Sequence, residues 1–384
     1  MKKLSKIFSI LGLPGRFVRL FFMPKGAVLI FNHTTRVRRS SHGPTPIYLG
    51  RIFGEIHPLV VFDGTKASYH YPAGTAQFVY SGFHPAGVLI SRFVPRVTRQ
   101  RVVFLVQVGL CKWAFRILRP RKVVLLVWYG KEWAVAAARE LGIETIDIQH
   151  GVIHEQHPGY AVQLMEPLWA SNMPDFCWVY GSHWKGLLLK SGWSEERVRV
   201  CGYYIDHVPK YPDVPFKPYL LYISAPGFQE HIKQHIRSIL PVLKARGLKA
   251  VIAPHQHVDE DTHPYKDILA EEVLMISDFD AYDLVARCEV CIGVTSTLLY
   301  EARIFGKSSY TLVDKSTYGK VFPNWYPSSL GHLVDTGMFR QVKLGEVPEP
   351  FELPASVQLD AFFAPSQLKE LLGVMPAASA RRER

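Results

Sequence analysis

Short apolar segments that alternate with helical patterns restrict the fold of this chain more than any other feature. Segment 123–129 (VVLLVWY), for example, is continuously apolar, and a helical pattern over 102–118 precedes it. Strands that are apolar at every position are buried on both faces, which is typical of parallel sheets covered by helices. The sequence therefore predicts an α/β fold with doubly wound, Rossmann-like sheets. The predicted strands are 26–32, 59–63, 77–80, 123–129, 144–149, 176–180, 197–201, 219–224, 248–253, 273–276, 289–294 and 309–313, and the predicted helices are 102–118, 132–141, 184–190, 230–246, 281–287, 298–305 and 365–372.

A proline-rich segment divides this series in two. Residues 207–218 (HVPKYPDVPFKP) contain four prolines and no periodic pattern. The length of 384 residues also suits two domains of about 150 residues each. We therefore predict a basic α/β domain over 1–210, a second α/β domain over 211–345, and a closing helix with a basic tail over 346–384. Ligands of such sheets bind beyond the carboxyl ends of the strands, so polar residues that follow the strands are candidates for a site.

Positive charge is concentrated in the first third of the chain. Residues 1–131 hold 21 Lys and Arg against two acids, Glu55 and Asp63, whereas residues 132–384 carry a net charge of −7. This excess of cations fits an anionic partner, which is a membrane surface, a phosphorylated lipid carrier, an acidic polymer or a nucleic acid. The sequence has no nucleic-acid recognition motif, so nucleic acid is not an expected partner.

The apolar runs and the cysteines bear on the location of the protein. No run reaches the roughly 18–20 apolar residues of a spanning helix, and residues 1–22 lack a signal-peptide cleavage site. As a helix, this segment places Leu4, Ile7, Phe8 and Leu11 on one face, which fits an interfacial membrane helix or a helix packed on its own domain. Five cysteines are too few for a disulfide scaffold. We expect a cytoplasmic protein that is peripheral on the inner membrane.

The densest group of polar residues follows the predicted strand 144–149. It contains Gln149, His150, Gly151, His154, Glu155 and His157. Histidines at a strand end can bind phosphate or sugar hydroxyls, or act as a general base. They can also satisfy loop backbone groups or bind a metal, although no fourth metal ligand is apparent. We predict His150 or His157 as the base, with Glu155 and the strand residue Asp147 as carboxylate alternatives.

Residues that follow the predicted strand 123–129 have an equivalent position. Tyr129, Lys131 and Glu132 stand where this strand leads into the next helix. We expect them to line the acceptor side of the site together with Gln149, Gly151 and His154.

Small hydroxyl residues mark a second candidate site in the other half of the chain. Thr295, Ser296 and Thr297 stand between a predicted strand and a predicted helix, and Glu301 lies one turn further on. Backbone N–H groups and hydroxyls at such a turn bind phosphate, and the carboxylate of Glu301 can accept ribose hydroxyls. The alternative is a plain helix cap with Glu301 on a solvated face.

Three more residues follow strands in this half. Ser224 is followed by small residues that allow close ligand approach, and His255 and His257 follow the strand that ends at 253. Cys288 and Cys291 bridge a helix end and a buried strand, where packing explains them better than redox or zinc chemistry. The sequence contains no P-loop, dinucleotide-binding glycine motif or hydrolase nucleophile elbow.

Several of these motifs resemble those of GT-B glycosyltransferases, particularly the group in bacterial capsule and lipopolysaccharide gene clusters. The last of the matching segments is similar to the Ser-Thr-x-x-x-Glu stretch with which this family and its relatives bind donor phosphates. Those relatives are of the capsule Kdo-transferase, polysialyltransferase and CDP-glycerol polymerase types. The matching segments, all within residues 120–315, are QHG (149–151), HPGY (157–160), DFCWVYGSHWKGLL (175–188), RVRVCGYY (197–204) and GVTSTLLYEARIFGK (293–307).

The resemblance implies two Rossmann-like domains that face each other across a cleft. It implies a nucleotide-sugar donor of CMP or UDP type, donor-phosphate contacts from Ser296 and Thr297, and a donor contact from His255. The family usually has His-Pro where this chain has His255-Gln256. The resemblance further implies catalysis without a cofactor or an essential metal.

Sequence and resemblance together predict a glycosyltransferase of bacterial surface polysaccharide synthesis, for capsule or O-antigen. It would transfer a sugar from a nucleotide donor to a lipid-linked or polysaccharide acceptor. Three alternatives stay open: a transferase of polyol phosphate from a CDP-alditol, a sugar-nucleotide 2-epimerase, and a non-catalytic polysaccharide assembly factor.

Overall fold

The computed structural model describes two compact units. One lies within Met1–His150, Val162–Asp206 and Ala364–Arg384, and the other within Gly151–Ala161 and His207–Phe363. The described residues are 12–32, 37–38, 45–46, 56, 58–64, 71, 75–155, 157–203, 218–225, 227–254, 264–276, 281–294, 296–312 and 334–372. The amphipathic segment predicted near Leu4, most of the linker 207–218 and the end of the chain lie outside these ranges.

A seven-stranded parallel sheet forms the centre of the first unit. The strand order is β3-β2-β1-β4-β5-β6-β7, so the order reverses between β1 and β4. Every residue of β1 and β2 is buried, as expected for strands covered on both faces. The strands are β1 (Val28–Phe31), β2 (Leu59–Asp63), β3 (Thr75–Val79), β4 (Lys122–Leu125), β5 (Glu144–Ile148), β6 (Phe176–Val179) and β7 (Val198–Val200).

Helices connect these strands, and two of them form a closely packed hairpin. The helices are α1 (Leu13–Leu20), α2 (Phe83–Ser91), α3 (Arg99–Leu118), α4 (Glu132–Arg139), α5 (Pro167–Ala170) and α6 (Ser182–Lys190), with a short helix at Leu368–Leu371. The sequence does not predict α2, because Pro85 and Gly87 interrupt its helical pattern. Gly87 explains one of these interruptions: a Cβ there would lie 2.9 Å from the carbonyl oxygen of Val103, so glycine permits the close approach of α2 and α3. The strands Val37–Arg38 and Thr45–Pro46 form a separate antiparallel pair.

The second unit repeats the same design with six parallel strands. Their order is β10-β9-β8-β11-β12-β13, which reverses between β8 and β11. The strands are β8 (Tyr219–Ile223), β9 (Lys249–Ala253), β10 (Val273–Met275), β11 (Val290–Gly293), β12 (Ser308–Thr311) and β13 (Arg340–Gln341). The helices are α7 (Gln229–Arg246), α8 (Ala281–Arg287) and α9 (Thr297–Glu301), with a short helix at Leu359–Phe362. Both sheets confirm the predicted doubly wound α/β fold.

The predicted strands and most predicted helices are present, with two informative differences. The strand predicted over 123–129 ends at Leu125, because the backbone turns at Val127, where φ is +83°. The helix predicted over 298–305 is α9 followed by a 3-10 turn at Ala302–Phe305. No helix in the described ranges is long and apolar enough to cross a bilayer.

Candidate functional site

The reversal of strand order marks one place in each sheet where a ligand is expected. In an open parallel sheet the connections leave in opposite directions at this point and open a crevice beyond the carboxyl ends of the strands. In the first unit, β1 and β4 flank this point, and β5 is the neighbour of β4. In the second unit, β8 and β11 flank it.

The first unit brings together the residues that follow β4 and β5. The hydroxyl of Tyr129 lies 3.4 Å from Nε2 of His150, and both residues are half-buried. Trp169 of α5 lies beside Tyr129, with 6.1 Å between the ring centroids. The site therefore combines a histidine and two aromatic rings that ligands from solvent can reach.

Lys131 contributes a cation with an altered proton affinity. Burial of its amine lowers the pKa to about 8, while the negative charges of Asp147 and Glu132 act in the opposite direction. Its Nζ donates a hydrogen bond to the carbonyl oxygen of Val127, 2.5 Å away. Val127 itself has a φ of +83°, which is strained for a β-branched residue, and such strain is often found at functional sites.

Glu132 is a buried carboxylate at the start of α4. It accepts a hydrogen bond of 2.6 Å from the backbone N–H of Gly130 and another from the side chain of Trp169. Burial raises its pKa, which these hydrogen bonds and the charge of Lys131 partly offset. The sequence groups Tyr129, Lys131 and Glu132 together. In the structure they are also close neighbours, connected by hydrogen bonds, charge and the ring of Trp169.

Asp147 and Gln149 are built into the sheet. Asp147 is fully buried in β5, and its Oδ2 lies 3.9 Å from Sγ of Cys177. Gln149 is equally buried, and its Oε1 accepts a hydrogen bond of 2.8 Å from the backbone N–H of Tyr180. Gln149 therefore links the end of β5 to the end of β6. The negative charge of Asp147 raises the pKa of Lys131, and this is how Asp147 affects the site.

A second polar cluster in this unit escaped the sequence reasoning. Asp63, at the end of β2, is fully buried and accepts hydrogen bonds from Asn32 Nδ2 (2.9 Å), Gln77 Nε2 (2.6 Å) and the hydroxyl of Tyr71. Asn32 follows β1 directly, and its buried Oδ1 has no hydrogen-bond partner among the described residues. Two features of the sequence could have identified Asp63: it is one of only two acids in residues 1–131, and it ends an apolar strand.

The loop that follows His150 belongs to the second unit. A Cβ on Gly151 would lie 3.1 Å from the hydroxyl oxygen of Thr297, so the loop backbone approaches the start of α9 closely. The rings of His154 and His157 are buried and 5.3 Å apart, whereas Glu155 is exposed.

His157 has the environment of a structural histidine. Its Nδ1 accepts a hydrogen bond of 3.1 Å from the backbone N–H of Gly159. Burial, assisted by the nearby His154, lowers its pKa to about 3. An imidazole with this pKa is neutral at physiological pH and is a weak base.

Hydroxyl groups border the reversal point of the second sheet. Ser224 follows β8, is buried, and its Oγ lies 2.7 Å from the hydroxyl of Tyr265. Ser296 caps α9 by accepting a hydrogen bond of 3.3 Å from the backbone N–H of Leu298. A serine that accepts this bond keeps its own O–H for donation to a ligand.

The alternative interpretation placed Glu301 on a solvated face of the helix, and the structure shows that this is wrong. It is fully buried, and its Oε2 accepts a hydrogen bond of 2.8 Å from the hydroxyl of Tyr282. In this position it braces α9 against α8. The predicted contacts of Thr295, His255 and His257 lie outside the described residues. Within the described part of the chain, no three His, Cys, Asp or Glu residues form a potential metal site.

Comparisons with known proteins give a fold but no family. Neither a protein-family model nor a curated protein sequence matches this chain. Among solved structures it is similar to the UDP-GlcNAc 2-epimerase of Methanocaldococcus jannaschii in complex with UDP-GlcNAc and UDP, with 11% identity over 90% of this chain and 98% of that one, and a TM-score of 0.51.

Two further structures give the same result. A UDP-N-acetylglucosamine 2-epimerase has a TM-score of 0.52, 14% identity and 84% coverage of both chains. The glycotransferase of kitacinnamycin has a TM-score of 0.50 and 15% identity, over 85% of this chain and 88% of that one. With the two parallel sheets, these similarities establish the GT-B fold class for this chain.

Proposed function

We propose that this protein is a glycosyltransferase. It transfers a sugar from a CMP- or UDP-type nucleotide donor to a lipid-linked or polysaccharide acceptor during synthesis of a bacterial capsule or O-antigen. The observation that carries the proposal is the pair of doubly wound sheets, each with polar side chains at its reversal point. The solved structures that share this fold support it, since two of them are UDP-N-acetylglucosamine 2-epimerases and one is a glycotransferase.

The second unit would bind the nucleotide donor. Ser224, Ser296 and Thr297 stand beside the reversal point of its sheet and present hydroxyl groups, which suit a phosphate ligand. Thr295, His255 and His257 are proposed as further donor contacts. Glu301 would act indirectly, by holding the start of α9 in place through Tyr282.

The first unit would supply the base that takes the proton of the acceptor hydroxyl. Such a base must be neutral near pH 7 and able to accept a proton there. We propose His150 as this base because its ring is half-buried at the end of β5, where solvent and ligands can reach it, whereas the pKa of His157 is too low. Lys131 and Glu132 are proposed to orient the acceptor. The donor already carries the activated sugar, so the proposal includes no cofactor.

A 2-epimerase on the same fold is a second candidate, because two of the similar structures are epimerases. The two activities differ in their need for an acceptor. An epimerase converts a sugar nucleotide in the absence of any second substrate, whereas a transferase releases a nucleotide when the acceptor is added. A CDP-alditol transferase would release CMP together with a new phosphodiester.

Thermal stabilisation by CMP, CDP, UDP, GDP and dTDP at millimolar concentration tests the proposal first. A ligand at 100 times its dissociation constant adds about 2.7 kcal/mol to the free energy of unfolding, which is readily detected. A shift with CMP would indicate a Kdo-type or sialic-acid-type donor or a CDP-alditol, and a shift with a diphosphate would indicate a hexose donor. No shift with any nucleotide would contradict the enzyme proposal and favour an assembly factor.

A further inference from the structure

The tip of the hairpin formed by α2 and α3 has an unusual surface. Phe93 and Val97 lie in the turn between the two helices and are 85% and 89% exposed. Leu89 and Ile90 at the end of α2 and Leu105 on α3 are exposed as well. Large apolar side chains at this exposure are costly in water unless another phase or partner covers them. We call this set, with the arginines described next, the hairpin tip.

Arginines alternate with these apolar residues. Arg92, Arg96, Arg99 and Arg101 are exposed, and none of them forms an ion pair with another described residue. The sequence between Asp63 and Glu132 contains no acid at all. The hairpin tip therefore has cations and apolar groups without a compensating negative charge.

We infer that the hairpin tip docks this protein on an anionic lipid bilayer. Phe93, Val97 and their apolar neighbours would enter the boundary between headgroups and acyl chains, while the arginines pair with lipid phosphates. The inference assigns a surface to the peripheral membrane association that the sequence predicts, and it rests on the proposed function to the extent that the acceptor is lipid-linked. It does not involve the N-terminal segment near Leu4, for which the sequence leaves open an interfacial membrane helix or a helix packed on its own domain.

Other occupants fit the observations less well. A symmetric contact between two copies would bring the arginines of one hairpin tip against those of the other. A nucleic acid would use the arginines but leave the aliphatic and aromatic side chains uncovered. An anionic bilayer satisfies both sets of side chains at once.

Co-sedimentation with vesicles tests the inference without any donor or acceptor. We expect the full chain to bind vesicles of phosphatidylglycerol and phosphatidylcholine, and to bind vesicles of pure phosphatidylcholine only weakly. Rising salt concentration should release the protein from the anionic vesicles. The double substitution Phe93→Ser with Val97→Ser should lower binding by about tenfold or more. Arg92→Gln with Arg96→Gln should lower binding to the anionic vesicles only. Leu344→Ser is the matched control, since Leu344 is 66% exposed but lies in the second unit.

A dye at the hairpin tip gives an independent measurement. All five native cysteines are buried, so a cysteine introduced on the surface can be labelled selectively. An environment-sensitive dye on Val97→Cys should shift to the blue with anionic vesicles, whereas the same dye on Leu344→Cys should not. Unchanged vesicle binding in the Phe93 and Val97 variant would overturn the inference.

A change of oligomeric state in that variant without vesicles would assign the hairpin tip to a second copy instead, and would also overturn the inference. The vesicle experiments contain no nucleotide. A negative result there would therefore overturn the membrane inference only, and the thermal-shift experiment with nucleotides would still test the proposed function.

Discussion

The two sheets have the same strand order but end in different side chains. In the first unit the residues beyond the strands are ionisable, with Lys131, Glu132 and His150 near the ends of β4 and β5. In the second unit the corresponding ends present the hydroxyls of Ser224 and Ser296. The topology thus determines where a ligand is expected, whereas the side chains determine what the site can do. This difference is the basis for proposing proton transfer in the first unit and phosphate binding in the second.

Replacement of His150 should have the largest effect, because it should lower turnover without changing nucleotide binding by the second unit. We expect His150→Ala to reduce turnover by about 10²- to 10⁴-fold, because a general base contributes effects of this size. The stabilisation by nucleotide should be unchanged, since that ligand is assigned to the second unit. Steady-state kinetics and thermal melts of the same preparation measure both effects. His84→Ala, an exposed histidine on α2, serves as the control, and near-normal turnover in His150→Ala would remove the assignment.

The Asp63 cluster should dominate the stability of the first unit. Asp63→Ala leaves the buried amide group of Asn32 and the half-buried amide group of Gln77 without their acceptor, which should cost about 3 kcal/mol of unfolding free energy. Chemical denaturation measures the difference. Asp360→Ala is the control, since Asp360 is exposed and its loss should change the free energy by less than about 0.5 kcal/mol. Equal effects of both substitutions would show that the cluster contributes no special stability.

The altered pKa of Lys131 predicts a specific pH dependence. Its pKa is about 8 in the folded protein against an ordinary 10.5, so the folded state carries a penalty for the charged amine below pH 8. This penalty disappears as the pH rises from 8 to 10.5, because the folded protein releases the proton first. The unfolding free energy of the wild type should therefore rise relative to that of Lys131→Met over this range. Denaturation at pH 7, 9 and 10 measures it, and parallel curves would contradict the shift.

Periodicity predicted the sheets because it depends on burial along the chain. A continuous apolar run identified β4, and the polar residues that follow β4 and β5 identified Tyr129 and His150 as candidates for the site, which the structure brings together. The predicted length of β4 was wrong because the backbone turns at Val127 with a positive φ. Valine is typical of strands, so the sequence gives no sign of this turn. Helix α2 was missed because Gly87 serves packing against Val103, which is a contact between helices and not a property of one segment.

Roles that depend on three-dimensional burial were the least predictable. His157 and Glu301 have the right residue types for a base and a ribose contact, but their burial gives the first a low pKa and places the second against Tyr282. Asp63 was overlooked because its partners lie far apart in the sequence: Asn32 follows β1, and Gln77 lies within β3. Sequence spacing locates strand ends, but only the fold shows which side chains there face solvent.

The smallest expected effect compares two serines, one in each unit, that each accept a backbone N–H two residues further along the chain. Ser296 is the cap of α9 and accepts the N–H of Leu298, whereas Ser366 accepts the N–H of Leu368, the first residue of the short helix Leu368–Leu371. Ser296→Ala should cost about 1 kcal/mol as a lost helix cap, and Ser366→Ala removes a similar local hydrogen bond outside the proposed donor site. Ser296→Ala alone should also weaken nucleotide binding, by about five- to tenfold, since it removes a donor to the phosphate. Calorimetric titration of both variants measures this. Equal affinities would reduce Ser296 to a cap and move the phosphate contact elsewhere in the second unit.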